Sequence, residues 1–443
     1  MPLLLVILLF FVASCSPKSA HNAQLADLEF ARTNYVLKSK AFAAADREKA
    51  LQFIDQLKPR TGHLSNEQFL VSMLQLTGFA HNAHDSFDPA GGWIPTTRLP
   101  FRMIWFPDAM VIARGASGDA RFLGAKVKSI EGLSPDELLA RLRPVCGGPD
   151  EYVRWNVLWV IENGGLLHAL GLAKAPDQLE FKFILSNGTE VTRIVSFVPR
   201  NTLPPGVRPP RLWSADLCQG EAERRWRAAI DSARQPFYLQ KGDEPFRMER
   251  LPNVDALYVQ LRANSTADAG GNEIGPFVKR VVKEMETNRP NNLVLDLRFD
   301  IGGDIDETRG LAQVMAANTQ KRIYLLIGPY TFSAGIVMAA AMKHDGGERV
   351  TTVGDRVGDN LRWWSETNRA CLPRSGYCLH GTTGLWDLIK GCGGEPDCYG
   401  DKYNAKVGSL EPDVRAPLTA FDWMTGRDPA LQEVITQLEA PAR

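Results

Sequence analysis

The chain has 443 residues, 51 basic against 51 acidic side chains, and 44% hydrophobic residues with ten tryptophans. That length exceeds what one ordinary core serves, so two or three domains are expected, and the apolar content fits a packed protein and not a disordered one. The charges cancel and form no block of one sign, which leaves nucleic acid nothing to hold, so no nucleic-acid partner is expected.

At the N-terminus, Leu3–Val12 is an apolar run well short of the roughly 20 residues needed to cross a bilayer. It ends in Val12-Ala13-Ser14-Cys15, which looks like a bacterial lipobox with cleavage before Cys15. Residues 1–15 therefore read as a lipoprotein signal peptide, with an ordinary secretory signal as the alternative. Lipid on Cys15 would anchor the chain to the cell envelope, facing the periplasm. Ser16 after the cysteine resembles the outer-membrane side of the sorting rule of enteric bacteria.

Residues 16–98 read as helical. Ser65-Asn66-Glu67-Gln68 can form a capping box for a helix that buries Phe69, Leu70, Met73 and Leu74, with Gly78 ending it. Residues 99–200 turn to strand patterns. Within them Leu123–Gly132, followed by the amphipathic Ser134–Leu142, resembles the core of a PDZ module, a fold that adds peptide tails as a strand to an exposed edge. The usual carboxylate-binding glycine loop is not recognisable. Asn201–Pro210 is a stiff linker, and a polar helical insert is expected around Gln219–Gln235, so 201–250 reads as linker and insert. An α/β region, 251–443, begins near Val254.

Cysteine usage suits an oxidising compartment. Apart from Cys15 there are Cys146, Cys218, Cys371, Cys378, Cys392 and Cys398. Closeness in sequence makes Cys371–Cys378 and Cys392–Cys398 the simplest of the possible pairings, leaving Cys146–Cys218. A zinc site is the alternative, although the spacing shows no metal-ligand pattern, and no metal or cofactor is implied.

Leu293–Met342 carries the most chemistry. Leu293–Leu297 reads as a buried strand running through Arg298 into Gly302-Gly303, and a helical pattern with Leu311, Val314 and Met315 follows. A second apolar strand, Ile323–Ile327, meets Gly328-Pro329-Tyr330-Thr331-Phe332, and Ser333 opens the run Ala334–Ala341. A strand, a tight turn and a helix put the Ser333 hydroxyl at the positive end of a helix dipole among free N–H groups. The glycine pair is placed to supply a second N–H to the same carbonyl oxygen, so Gly303 and Ala334 are the expected oxyanion-hole donors.

These segments, with Glu411-Pro412-Asp413-Val414 and Gly426-Arg427-Asp428-Pro429, resemble in order and spacing the motifs of the C-terminal-processing (tail-specific) and tricorn-core serine peptidases. The resemblance implies an α/β fold (α+β overall): a helical N-terminal part, a degenerate PDZ-like β module and a crotonase-like βαβ catalytic core. It also implies Ser333 as nucleophile, a peptide or protein substrate and an acyl-enzyme. The lysine of the tail-specific branch is absent from Gly354–Asp359. Lys343 is too close on the same helix, and Arg356 cannot give up its proton. The resemblance is therefore closer to the tricorn branch, whose base is a histidine from the N-terminal part. His84, in His81-Asn82-Ala83-His84-Asp85, matches that position, with His81 its nearest rival. Imidazole titrates near neutrality and can take and return the Ser333 proton. For the acid Glu366 is expected, as in several tricorn-like relatives, with Asp85 and Asp359 as alternatives.

Ala83, Asp85 and Gly335 depart from the family pattern and favour a second reading, a binding or scaffold lipoprotein without chemistry. A crotonase-like acyl-CoA enzyme is a third, which the lipobox opposes.

Overall fold

The computed structural model describes residues 17–440 except 90–95, 117–120, 201–212, 215–225, 243, 266–273, 400–402 and 404. Cys15, Cys218 and the Asn201–Pro210 linker lie outside the described residues. Among the described residues no helix is long and apolar enough to cross a membrane.

The C-terminal half is built on a six-stranded sheet in the order Phe246–Arg250, Ala256–Leu261, Asn292–Asp296, Ile323–Ile327, Val350–Gly354, Val414–Arg415. The first pair is antiparallel and the rest are parallel. Parallel strands need both faces covered, which is why these segments read as continuous apolar runs. Alternate residues then face opposite layers. Leu293, Leu295, Ile323 and Leu325 pack under the helices Ile274–Asn288, Arg309–Asn318 and Ala334–Gly346. Val294, Tyr324 and Leu326 pack against Ala430, Leu431 and Val434 of the helix Pro429–Glu439. Ala334–Gly346 is apolar all round, and Ala334 to Met342 are buried throughout, as a helix inside a core requires. This is the mixed α/β core expected from the sequence.

A second sheet runs Phe101–Trp105, Met110–Ala116, Lys126–Ile130, Gln178–Ile184, Glu190–Ser196. Trp226–Ala228, expected to be helical, instead pairs as a strand with Met110–Ala116, and Ser232–Arg234 is one 3₁₀ turn. Trp226 explains the difference: it is 7% exposed, so burying one aromatic at the sheet edge outweighs the weak helical pattern around it. Two expected capping boxes are present, Ser65 with Gln68 and Ser134 with Glu137.

A third, three-stranded sheet joins the two ends of the chain. Ser86–Asp88 pairs antiparallel with Cys378–Asp387, which forms a hairpin with Arg362–Cys371. Disulfides Cys371–Cys378 and Cys392–Cys398 form here, which removes those cysteines as zinc ligands. The remaining expected pair does not form. Cys146 is a buried free thiol, pushed up to about 12 by burial, which makes it inert.

Candidate active site

Ser333 is the residue before the first turn of Ala334–Gly346 and has φ 54°, ψ −124°. A positive φ in a side-chain-bearing residue is strained and persists only where its surroundings impose it. They do so here. Thr331 donates its hydroxyl to the Leu297 carbonyl at 2.9 Å, and the Phe332 N–H donates to the Asp300 carbonyl at 2.9 Å. Gly335 donates back to the Phe332 carbonyl at 2.9 Å. The turn is thus pinned to the loop that leaves the neighbouring strand.

That loop approaches as closely as backbone can. A Cβ on Gly302, which has φ 96°, would lie 2.6 Å from Ser333 Cβ. One on Gly303 would lie 1.9 Å from the Asn264 carbonyl oxygen. The Gly302 N–H is occupied, donating to Asp300 Oδ1 at 3.0 Å. Among the described residues no carbonyl accepts from the N–H of Gly303 or of Ala334, so the two donors expected from the sequence are unspent. Asp300 is buried beneath them, with Asn264 Nδ2 donating to its two oxygens at 3.0 and 2.8 Å, and burial pushes its carboxyl up to about 7.

The same carboxylate accounts for Gly335. A Cβ there would fall 2.3 Å from the Asp300 carbonyl oxygen and 3.0 Å from its carboxyl carbon. Two distant motifs also meet. The Arg298 guanidinium donates to Asp296 at 2.6 Å and to Asp428 at 2.7 Å, tying the strand end to the C-terminal segment.

His84 reaches this site from the N-terminal part. Its turn is held by Asp85, which accepts from Ser39 Oγ at 2.7 Å, Tyr35 at 3.1 Å, Asn82 at 2.8 Å and Thr382 at 2.6 Å. Asn82 also donates to the Trp364 carbonyl at 2.9 Å. Asp85 is therefore a buried clamp and is not spent on the imidazole. The His84 ring stacks on Phe332, the residue before the serine, with centroids 4.5 Å apart. Its side chain is 9% exposed, and its Nδ1 lies 3.2 Å from Asp359 Oδ2. That contact is close but poorly aligned for a hydrogen bond, and Nε2 is buried without a partner. Such looseness is common in catalytic pairs before substrate binds.

The structure sets a different carboxylate beside the imidazole from the one expected. Asp359, whose side chain is 1% exposed, faces the imidazole, while Glu366 is exposed on the strand Arg362–Cys371 at φ 56°. The Glu366 carboxylate meets Ser365 Oγ at 3.3 Å and Trp386 Nε1 at 3.4 Å. It lines a cavity of about 390 Å³ together with Ser333, Gly303 and Ala334, so it borders the serine without touching the histidine. His81 stands apart from the serine turn, its side chain 71% exposed beside Asp46. Lys343 lies toward the far end of the serine helix, 3.8 Å from Asp413.

No family model and no curated protein sequence matches the chain. Solved structures do. The structure of mature CPAF complexed with lactacystin is 13% identical, covers 94% of this chain and 97% of that one, and superposes with a TM-score of 0.58. This chain shares the fold of CPAF. The structure of mature CPAF alone gives a TM-score of 0.56 at 13% identity, covering 94% and 96%. The photosystem II D1 C-terminal processing protease overlaps more loosely, with a TM-score of 0.38 at 14% identity over 93% and 98%.

Proposed function

We propose that the chain is a serine peptidase in which Ser333 attacks a peptide carbonyl with His84 as base and Asp359 as orienting acid. The observation that carries this reading is one juxtaposition. A serine at forced positive φ has two unspent N–H groups beside it, and a buried histidine with an aspartate at its Nδ1 stacks on the residue before that serine.

In this scheme His84 Nδ1–H faces Asp359, which fixes the tautomer and leaves Nε2 free to accept the Ser333 proton. As Oγ bonds to the carbonyl carbon, the negative charge on the carbonyl oxygen falls to the N–H groups of Gly303 and Ala334. His84 then protonates the leaving amine and the C–N bond breaks. Water, deprotonated by the same histidine, attacks the acyl-serine, and the proton returns to Ser333. The Asp359 carboxylate stabilises the imidazolium that forms. The likeness to CPAF supports the fold this scheme needs. The departures at Asp85 and Gly335 speak less for lost chemistry once their packing is seen, since both hold the site together.

The peptidase reading is tested by hydrolysis of a quenched fluorescent peptide library. Ser333→Ala and His84→Ala are each expected to lower turnover on the order of a million-fold, with circular dichroism unchanged. Equal turnover in wild type and both variants would favour the binding-protein reading. We also infer that Cys15 carries the lipid and anchors the enzyme to the envelope facing the periplasm. Cys15→Ala should then move the protein from the membrane fraction to the soluble one, and an unchanged distribution contradicts the anchor.

A further inference from the structure

A second cavity, of about 320 Å³, lies where the turn after Phe101–Trp105, the helix Asp150–Asn156 and the ends of Ile323–Ile327 and Val350–Gly354 meet. The scheme above makes no use of it. Its walls are aromatic: Trp105, Phe106, Trp155, Trp213, Phe299 and Tyr330. Trp155 stacks on Tyr330 at 5.3 Å, and Trp213 stands edge-on to Phe299 at 5.3 Å. Five charged side chains, Glu151, Arg154, Arg298, Asp355 and Arg415, share the lining with them. Tyr238, 1% exposed, brings a buried hydroxyl with no hydrogen-bond partner, a costly arrangement that a ligand atom would relieve.

The charges at the lining leave one group over. Glu151 has Arg356 at 3.6 Å, and Asp355 has Arg415 at 3.7 Å. Arg298 donates to Asp296 and Asp428. Burial pushes the Asp355 carboxyl up, and the half-buried Arg154 is near enough to oppose that weakly. Yet among the described residues Arg154 makes no ion pair or hydrogen bond. An aromatic box with one uncommitted guanidinium suits an apolar body that ends in a carboxylate.

The cavity wall is also the frame of the catalytic turn. Trp155 Nε1 donates to the Pro329 carbonyl at 3.2 Å. Gly358, one residue before Asp359, packs so closely that a Cβ there would lie 2.3 Å from the Pro329 oxygen, and its N–H donates to the Thr331 carbonyl at 2.9 Å. Trp155 meets Tyr152 at 4.8 Å, Tyr152 stacks on Phe332 at 4.9 Å, and Phe332 stacks on His84. A group filling the box presses on segments that hold Ser333, His84 and Asp359.

We propose that this cavity is an effector site for a small aromatic or branched-chain carboxylate, whose carboxylate pairs with Arg154 and whose occupancy changes the reactivity of Ser333. The binding half is independent of the peptidase reading, and the coupling half rests on it. The probe is 3-phenylpropionate, read by tryptophan fluorescence in Ser333→Ala. Saturable quenching is expected, with the uncharged 3-phenylpropionamide binding about tenfold more weakly. Arg154→Gln should abolish that preference and Arg154→Lys should retain most of it. Absence of saturation, equal binding of acid and amide, or an undiminished preference in Arg154→Gln overturns the site.

In the wild-type chain, saturating acid should change the rate of fluorophosphonate labelling of Ser333 several-fold, and the change should vanish in Arg154→Gln. Binding with an unchanged labelling rate overturns the coupling. A wild type that binds the acid but never labels counts against the peptidase reading and not against the site.

Discussion

The two halves of the candidate site are built in opposite ways. The serine half is local and made mostly of backbone: two adjacent parallel strands, a glycine loop and a helix start, pinned together by bonds to the main-chain carbonyls of Leu297, Asp300 and Phe332. The histidine half is assembled from side chains far apart in the chain. Asp85 gathers Tyr35, Ser39, Asn82 and Thr382, and Asp359 comes from a loop beyond the serine helix. The contrast teaches that the strain at Ser333 is held by the core itself. The His84 turn depends on one buried carboxylate, Asp85, to stay against the hairpin.

The largest effect that sharpens this comparison sits in the histidine half. Asp359→Asn is expected to lower turnover about ten-thousand-fold with the fold intact, whereas Glu366→Ala should stay within about a factor of ten and act mainly on KM. Steady-state kinetics on both variants decides between the two acids, and the reverse pattern restores Glu366. In the serine half, Gly302→Ala forces a Cβ toward Ser333 at a position with φ 96°. Displacing the oxyanion donors in this way should cost about a hundredfold in turnover, and normal turnover would show that the loop is not part of the hole.

Stability gives the next test. Asp85→Ala leaves several buried donors unpaired, so urea denaturation should show a loss of about 2–4 kcal/mol along with activity. A change within error would mean that the clamp does not hold the turn. The smallest effect is a pH slope. The Asp300 carboxyl titrates at about 7 in the folded chain, against roughly 4 when unfolded. Between those values the native state keeps a proton that the unfolded state has lost, so this group makes stability fall as pH rises through the window. Asp300→Asn should flatten that slope, and an identical slope in both proteins contradicts the assignment.

The sequence could be read where chemistry is local. Ile323–Ile327, the Gly302-Gly303 loop and the small-residue run after Ser333 announce a strand, a close backbone approach and a buried helix within one continuous stretch. His84 had no such local pattern and was placed only by resemblance to a family. Asp359, and not Glu366, lies beside the imidazole for a definite reason. Asp359 and Glu366 lie seven positions apart, and only the path of the loop, with Gly358 jammed against Pro329, turns one inward, while Glu366 sits exposed at φ 56° on the hairpin. The Cys146–Cys218 expectation failed likewise, since arithmetic on cysteines carries no information about which thiol the core has enclosed.

The account stands most directly on whether Ser333 is an activated nucleophile. The measurement is intact-mass and peptide-level mass spectrometry of the folded chain after a fluorophosphonate probe, run beside His84→Ala and Asp359→Asn. A single adduct on Ser333, lost in His84→Ala and slowed strongly in Asp359→Asn, is the predicted result. No adduct in a well-folded wild type, or one on Ser333 that forms equally fast without His84, would contradict it.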